Sequence, residues 1–397
     1  MLAVAAVVAV AATAPAPAAG QTLSQRLDSA LTIAGVSRAR TGALAFDLDS
    51  GRVVYRLHRK RSLSPASNEK LGVALAALER LGPSYRIRTA ALGDGSQTGS
   101  TWRGRVVLKG FGDPTLTTAD LRRLVSQLRT AGIRRVTGRI VGDESYFDKR
   151  RTAGGWKASF YKHESPPLSA LVVNRAKVNG RTVDNPALAA AKTFRRALVG
   201  AGVSVGGKAV AGLAPGGSPT LALVRSRTVM AIVRRMNKIS DNFYAEMLVK
   251  HLGAKVRGAG TTAAGCRVIR RVLEARNVPL AGVRIADGSG LSRYNRATAR
   301  ALGALLVSAW RDPAVRTPFF SSLAIAGVDG TLEDRLRRPP ARGRVRGKTG
   351  TTTAASALSG YVGSRYVFAI LQNGSPISWS RARTAQDRFA RVLARRL

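Results

Sequence analysis

The sequence predicts an α/β chain of two domains, the second inserted into the first. Three observations carry that reading. At 397 residues the chain is longer than one hydrophobic core usually serves. A helix and a hairpin near the amino end are matched by a hairpin and a helix near the carboxyl end, as if both ends built one domain, residues 19–88 with 222–397. Between them, residues 89–221 have a strand–helix–strand rhythm of their own, which marks an inserted domain.

Taken in order, LSQRLDSALTI spaces Leu23, Leu27 and Leu31 four apart, one apolar stripe on a helix. ALAFDLDSGRVVYRL alternates apolar and polar residues about Asp49-Ser50-Gly51 and reads as a hairpin. In the middle, RGRVVLKG reads as a strand and TTADLRRLVSQLRTAG as a helix capped by Thr117 or Thr118. RRVTGRIVGD follows as a single strand, and NPALAAAKTFRRALVGAG as a helix ending at Gly200 or Gly202. LSGYVGSRYVFAILQNG is a second hairpin turning at Gly363-Ser364. SWSRARTAQDRFARVLARRL closes the chain as an amphipathic helix carrying Phe389, Val392 and Leu393.

Composition bounds the function classes. Hydrophobic residues make up 45% of the chain, enough for real cores. Lys and Arg number 65 against 22 acidic residues, a net charge of +43. Such a field draws a protein toward polyanions, nucleic acid or the anionic polymers of a bacterial envelope. A genomic bias toward Arg and Ala would give the same numbers, so charge alone does not decide. A nucleic-acid partner is not expected: there is no recognisable binding module, and aromatics are only 6%.

Residues 1–20, MLAVAAVVAVAATAPAPAAG, form an apolar run ending in small residues and prolines. They read as an export signal over residues 1–18, with Ala16-Pro17-Ala18 as the cleavage tripeptide, although a positive leading segment is missing. The protein is expected to be exported, to the periplasm or outside the cell, and associated with the wall. One cysteine, Cys266, rules out an intrachain disulfide and any paired-cysteine zinc or redox site.

The stretch GRVRGKTG at 343–350 poses a choice between two chemistries. A phosphate-cradling loop needs Gly, four residues, then Gly-Lys-Ser/Thr, so that successive backbone N–H groups encircle the phosphates. Position 342 is Arg342 rather than glycine, and Gly343 stands one residue too close. The preceding RRPPARGRVR is also too charged and proline-rich for the buried strand that such a loop follows. The nucleotide reading fails.

The alternative is a serine nucleophile. A hydroxyl needs a base within hydrogen-bond reach, and a lysine one helical turn on supplies it if its pKa falls from about 10.4. Ser67-Asn68-Glu69-Lys70 fits, since it follows Pro65-Ala66 and runs into the apolar helix LGVALAALERLG. Ser159-Phe160-Tyr161-Lys162 has the same spacing but runs into His163-Glu164-Ser165-Pro166-Pro167, which stops any helix. Ser240-Asp241-Asn242 lies in a short turn between two helical segments, where Ser240 could relay a proton and Asn242 orient a peptide bond. Lys348-Thr349-Gly350 enters a strand whose edge could pair with an extended substrate, Lys348 and Thr349 facing a carboxylate and Gly350 allowing close approach. The N–H groups of Ser67 and Thr351 would then form an oxyanion hole. Each triplet alone is more often a cap, a turn or a surface pair. All three in order and in context point to acyl transfer. Only His58, His163 and His251 are available for a histidine-based site, and no metal-ligand spacing occurs.

These residues resemble the serine penicillin-recognising enzymes, whose three signatures are matched by PASNEKL, SDN and KTG. The long interval between Ser67 and Ser240 leaves no room for a compact β-lactamase. LKGFGDPTL (108–116), VGDESYFD (141–148), SPPLSALVVNR (165–175), DGSGLSRYN (287–295), AGVDGTL (326–332) and GKTGTTTAASALSGYV (347–362) are similar to the D-alanyl-D-alanine carboxypeptidase/endopeptidase family, the class C low-molecular-mass penicillin-binding proteins. The resemblance implies a transpeptidase-like domain, an antiparallel sheet flanked by helices, with an inserted α/β domain shorter than in larger members. It implies a cofactor-free, metal-free serine peptidase acting on peptidoglycan stem peptides, with β-lactam antibiotics as covalent inhibitors and anionic wall polymers as further partners. Ser67 would be acylated, Lys70 would be its base, Ser240 and Asn242 the second-motif pair, and Lys348 with Thr349 the carboxylate-facing strand. Arg293 would face the acidic end of a stem-peptide side chain, and Asp143 its amino group. The competing reading is a catalytically inactive penicillin-fold protein that binds wall polymers, against which the complete motif set argues.

Overall fold

Alternation within YVFAILQN sends successive side chains of strand Tyr366–Asn373 to opposite faces of a sheet. Val367, Ala369 and Leu371 enter one core and Phe368 and Ile370 another. Both faces are buried, which is why the strand is apolar throughout. The computed structural model describes residues 21–397; the expected export signal lies outside the described residues.

This sheet has six strands in the order Ala324–Ile325, Val345–Thr352, Ala355–Val362, Tyr366–Asn373, Thr41–Asp47, Arg52–Leu57, every neighbouring pair antiparallel. The two ends of the chain meet in the Thr41–Asp47 and Tyr366–Asn373 pair, in which Leu44 faces Ala369. One face is covered by helices Leu23–Leu31 and Trp379–Ala394, which bring Leu27, Phe389 and Leu393 onto Tyr55 and Phe368. Against the other face lies a group of helices centred on Lys70–Arg80, whose residues 70–78 are all buried. A helix apolar on every side belongs in the middle of a core. Burying Leu71 and Leu75 there is worth roughly 1.5–3 kcal/mol each.

A second sheet runs Ala209–Ala211, Ile140–Asp143, Thr101–Gly110, Arg86–Thr98, Thr220–Thr228 and is covered by helices Thr118–Thr130 and Pro186–Gly200. Thr117 and Asn185 cap these helices through their side chains. Pairing continues to Arg86 opposite Thr228, so this sheet overruns the expected 89–221 limits on both sides. RRVTGRIVGD is not one strand but two, Arg135–Val136 and Ile140–Asp143. The hydroxyl of Thr137 accepts the Gly104 N–H at 3.0 Å, taking a donor that an unbroken ladder would have used.

Candidate active site

The serine's turn is built by contact rather than by helix propensity. Ala66–Glu69 is a single 3-10 turn, after which the α-helix starts at Lys70. Ala66 sits in the left-handed region at φ 46°, an unfavourable place for an alanine. Two glycines leave room for it: a Cβ on Gly290 would lie 1.9 Å from the Ala66 carbonyl oxygen, and one on Gly350 2.8 Å from that of Pro65. Asn68, fully buried, donates to the carbonyl of Lys348 at 2.9 Å and ties this turn to strand Val345–Thr352.

Lys70 Nζ is fully buried and donates to Ser67 Oγ at 2.9 Å, to Asn242 Oδ1 at 2.8 Å and to the Ser289 carbonyl at 2.5 Å. Burial pushes its amine down to about 8, against the opposing pull of Asp287 and Glu246. The shift brings the neutral, basic form of the amine closer to neutral pH than an ordinary lysine allows. Burial also raises the Glu69 carboxyl well above its ordinary value and carries that of Glu246 to about 8.

Ser240 ends the turn after helix Val229–Lys238 at φ 59°. Asp241 caps helix Asn242–Arg257 and binds Arg175 at 2.8 Å, which fixes Asn242 at the first helical position. The Asn242 amide nitrogen donates to Glu164. Lys348 is fully buried and donates to the Thr349 carbonyl at 2.8 Å. Burial, with Lys70 nearby, holds its pKa well below the usual lysine value. The Thr349 hydroxyl donates to Thr331 at 2.8 Å. Strand Ala324–Ile325 pairs only with Gly347 and Arg346, so from Lys348 onward the outer edge has no strand partner among the described residues. The cleft encloses about 500 Å³, and Ser67, Ser240, Asn242, Thr349 and Thr351 line it.

The structure thus brings Ser67, Lys70, Ser240, Asn242, Lys348, Thr349, Gly350 and Thr351 together. It does not bring Asp143 or Arg293. Asp143 is fully buried, and its carboxylate is saturated by Lys109 at 3.0 Å and by the N–H groups of Ala214 and Ser145. Arg293 is exposed, lies with its guanidinium 5.0 Å from the centre of the Tyr294 ring, and does not line the cleft. The second Ser-x-x-Lys match is also excluded: Ala158–Phe160 is an isolated turn, and Lys162 pairs with Asp184 at 2.8 Å. Gly347-Lys348-Thr349 lies within a strand, as an acyl-transfer site requires and a phosphate loop does not. Sequence reasoning missed Asn68, Glu246, Asp287 and Ser289. Glu246 stands four residues after Asn242 on one helical face, a spacing that could have flagged it.

A model of the D-Ala-D-Ala carboxypeptidase 3 (S13) family matches residues 23–183 and 175–396. The D-alanyl-D-alanine carboxypeptidase of Actinomadura sp. (strain R39) is 31% identical over 89% of this chain and 81% of its own length. Penicillin binding protein 4 (dacB) from Haemophilus influenzae superposes with a TM-score of 0.83 at 22% identity, covering 93% of this chain and 98% of that one. Its complex with a novel β-lactam gives 0.77 at 21% identity over the same shares. The fold is therefore the penicillin-recognising one.

Proposed function

As a member of the D-Ala-D-Ala carboxypeptidase 3 (S13) family, the chain is a serine-type D-Ala-D-Ala carboxypeptidase, and we propose that Ser67 and Lys70 carry the reaction. The observation that supports this most is the 2.9 Å contact between Ser67 Oγ and a buried Lys70 amine at the floor of the cleft.

In this reading the neutral Lys70 amine takes the Ser67 proton as Oγ bonds to the penultimate D-Ala carbonyl carbon. The N–H groups of Ser67 and Thr351 receive the developing oxyanion, a donor pair worth a few kcal/mol in the transition state. The C–N bond then breaks, and the Lys70 ammonium returns its proton through the Ser240 hydroxyl to the departing D-Ala amine. Asn242 orients the peptide bond. Lys348, Thr349 and Thr351 face the terminal carboxylate while the open strand edge pairs with the peptide. A water, deprotonated by Lys70, hydrolyses the ester. A β-lactam follows the same first step, but its leaving amine stays tethered, so the acyl-enzyme persists. The three-way contact of Lys70 with Ser67, Asn242 and Ser289 favours this over an inactive wall-binding protein.

The finer readings are that the enzyme also cuts D-Ala cross-links as an endopeptidase, that it is exported, and that its charge holds it on anionic wall polymers. Support for the last comes from two grooves beside helix Pro186–Gly200. Lys192, Arg195, Arg196 and Lys208 line one, Arg122 and Lys177 the other, and no carboxylate lines either. Among the described residues, no helix is long and apolar enough to cross a membrane.

The test is release of D-Ala from a stem pentapeptide. The chain should release it and the Ser67→Ala variant should not; release by both would overturn the assignment of Ser67.

A further inference from the structure

An amine acting as a base has two N–H bonds and one lone pair. Of the three oxygens around Lys70 Nζ, those of Asn242 Oδ1 and the Ser289 carbonyl carry no hydrogen, and only Ser67 Oγ has one to give. With both N–H bonds given to the two hydrogen-free acceptors, the lone pair points at the Ser67 hydroxyl. The Ser289 carbonyl therefore matters as much as Asn242, and the question becomes what holds it.

Glu246 holds it. Its Oε1 accepts the N–H of Gly288 at 3.0 Å and of Ser289 at 2.8 Å, while its Oε2 is buried with no partner. From the far side Asp287 closes the same loop, accepting the N–H of Gly290 at 2.9 Å and of Ser292 at 2.7 Å, the Asn295 amide at 2.6 Å and the Trp156 indole N–H at 2.9 Å. Helix Asn242–Arg257 thus presents one hydrogen-free acceptor directly, through Asn242, and sets the other through Glu246 one turn later. The charged and titratable groups facing Glu246 are Glu69 and Lys70 from the serine's turn, Asp287 from the loop, Lys250 from its own helix and Cys266 from helix Thr262–Ala275.

We propose that Glu246 is a positioning residue: by gripping the amides of Gly288 and Ser289 it fixes the Ser289 carbonyl against Lys70 and aims the amine's lone pair at Ser67. This rests on the reading of Ser67 as nucleophile and Lys70 as base.

Two variants separate grip from charge. Glu246→Gln keeps an oxygen in reach of both amides and loses the acid; Glu246→Asp keeps the acid and shortens the reach. With a fluorescent penicillin, the maximal acylation rate of Glu246→Asp should fall on the order of 100-fold. Its half-saturating concentration should stay within about twofold of the parent. Glu246→Gln should keep the rate within about fivefold of the parent. A merely structural role would lower the melting temperature of both without this order of rates. Equal rates in all three proteins, or Asp faster than Gln, would overturn the proposal. Labelling of Ser67→Ala, or none of the parent, would instead strike the Ser67–Lys70 reading itself.

Discussion

The side-chain amide of Asn68 donates to the backbone carbonyl of Lys348 at 2.9 Å, joining the turn that carries the serine to the strand that forms the opposite wall of the cleft. Both residues are fully buried, so the bond cannot be exchanged for one to water. Asn68→Ala would remove this second donor while the carbonyl keeps its place in the ladder opposite Ser359, a loss of about 0.5–1.5 kcal/mol. Urea unfolding should show it as an earlier midpoint, and acylation should slow because cleft width depends on the same bond.

The pH dependence follows from Lys70. Below its pKa of about 8 the ammonium dominates and has no lone pair to receive the Ser67 proton. Acylation by a penicillin should therefore rise about tenfold per pH unit up to that point and level off above it. Lys70→Met should lower the rate by at least about 100-fold and abolish this titration.

Asp143 and Arg293 give the contrasting cases. Asp143 is held below its ordinary pKa: burial works to raise it, and the donors from Ser145, Ala214 and Lys109 prevail. A depressed carboxylate stabilises the fold above its unfolded pKa, and that contribution is lost as the pH falls through the folded value. Asp143→Asn should thus cost about 2 kcal/mol near neutral pH, measured by denaturant unfolding, while the folded fraction acylates normally. Arg293→Ala should leave D-Ala release within about twofold of the parent, since the guanidinium lies against Tyr294 outside the cleft.

Retention on isolated cell walls tests the charge. If the grooves beside helix Pro186–Gly200 hold anionic polymers, raising the salt should release the protein, because screening shortens the reach of exposed charges. Reversing Lys192 and Arg196 to Glu should lower the salt needed. Retention unchanged by either would remove that role.

The residues legible from sequence were those whose meaning is local. Ser67 and Lys70 are one turn apart, Ser240 and Asn242 share one turn, and Lys348 to Thr351 share one strand, so short triplets announced them. The hairpins were legible because period-two alternation needs no long-range information. Asn68 and Glu246 were not, because each acts on a backbone group far away in the chain, Lys348 and Ser289, and an amide or carboxylate carries no mark of its distant partner. Asp143 and Arg293 give the converse case. The resemblance suggested their chemistry, but burial beside Lys109 and exposure beside Tyr294 decide what they can touch. The division of RRVTGRIVGD into two strands falls where the Thr137 hydroxyl takes the N–H of Gly104, a partner 33 residues away that the local pattern does not announce.

The most direct measurement is the mass and position of the adduct formed with a penicillin. With Ser67 as the nucleophile, each chain should gain one penicillin, mapped to the peptide containing Ser67 and absent from Ser67→Ala. An adduct on any other residue, or one that survives in Ser67→Ala, would contradict it.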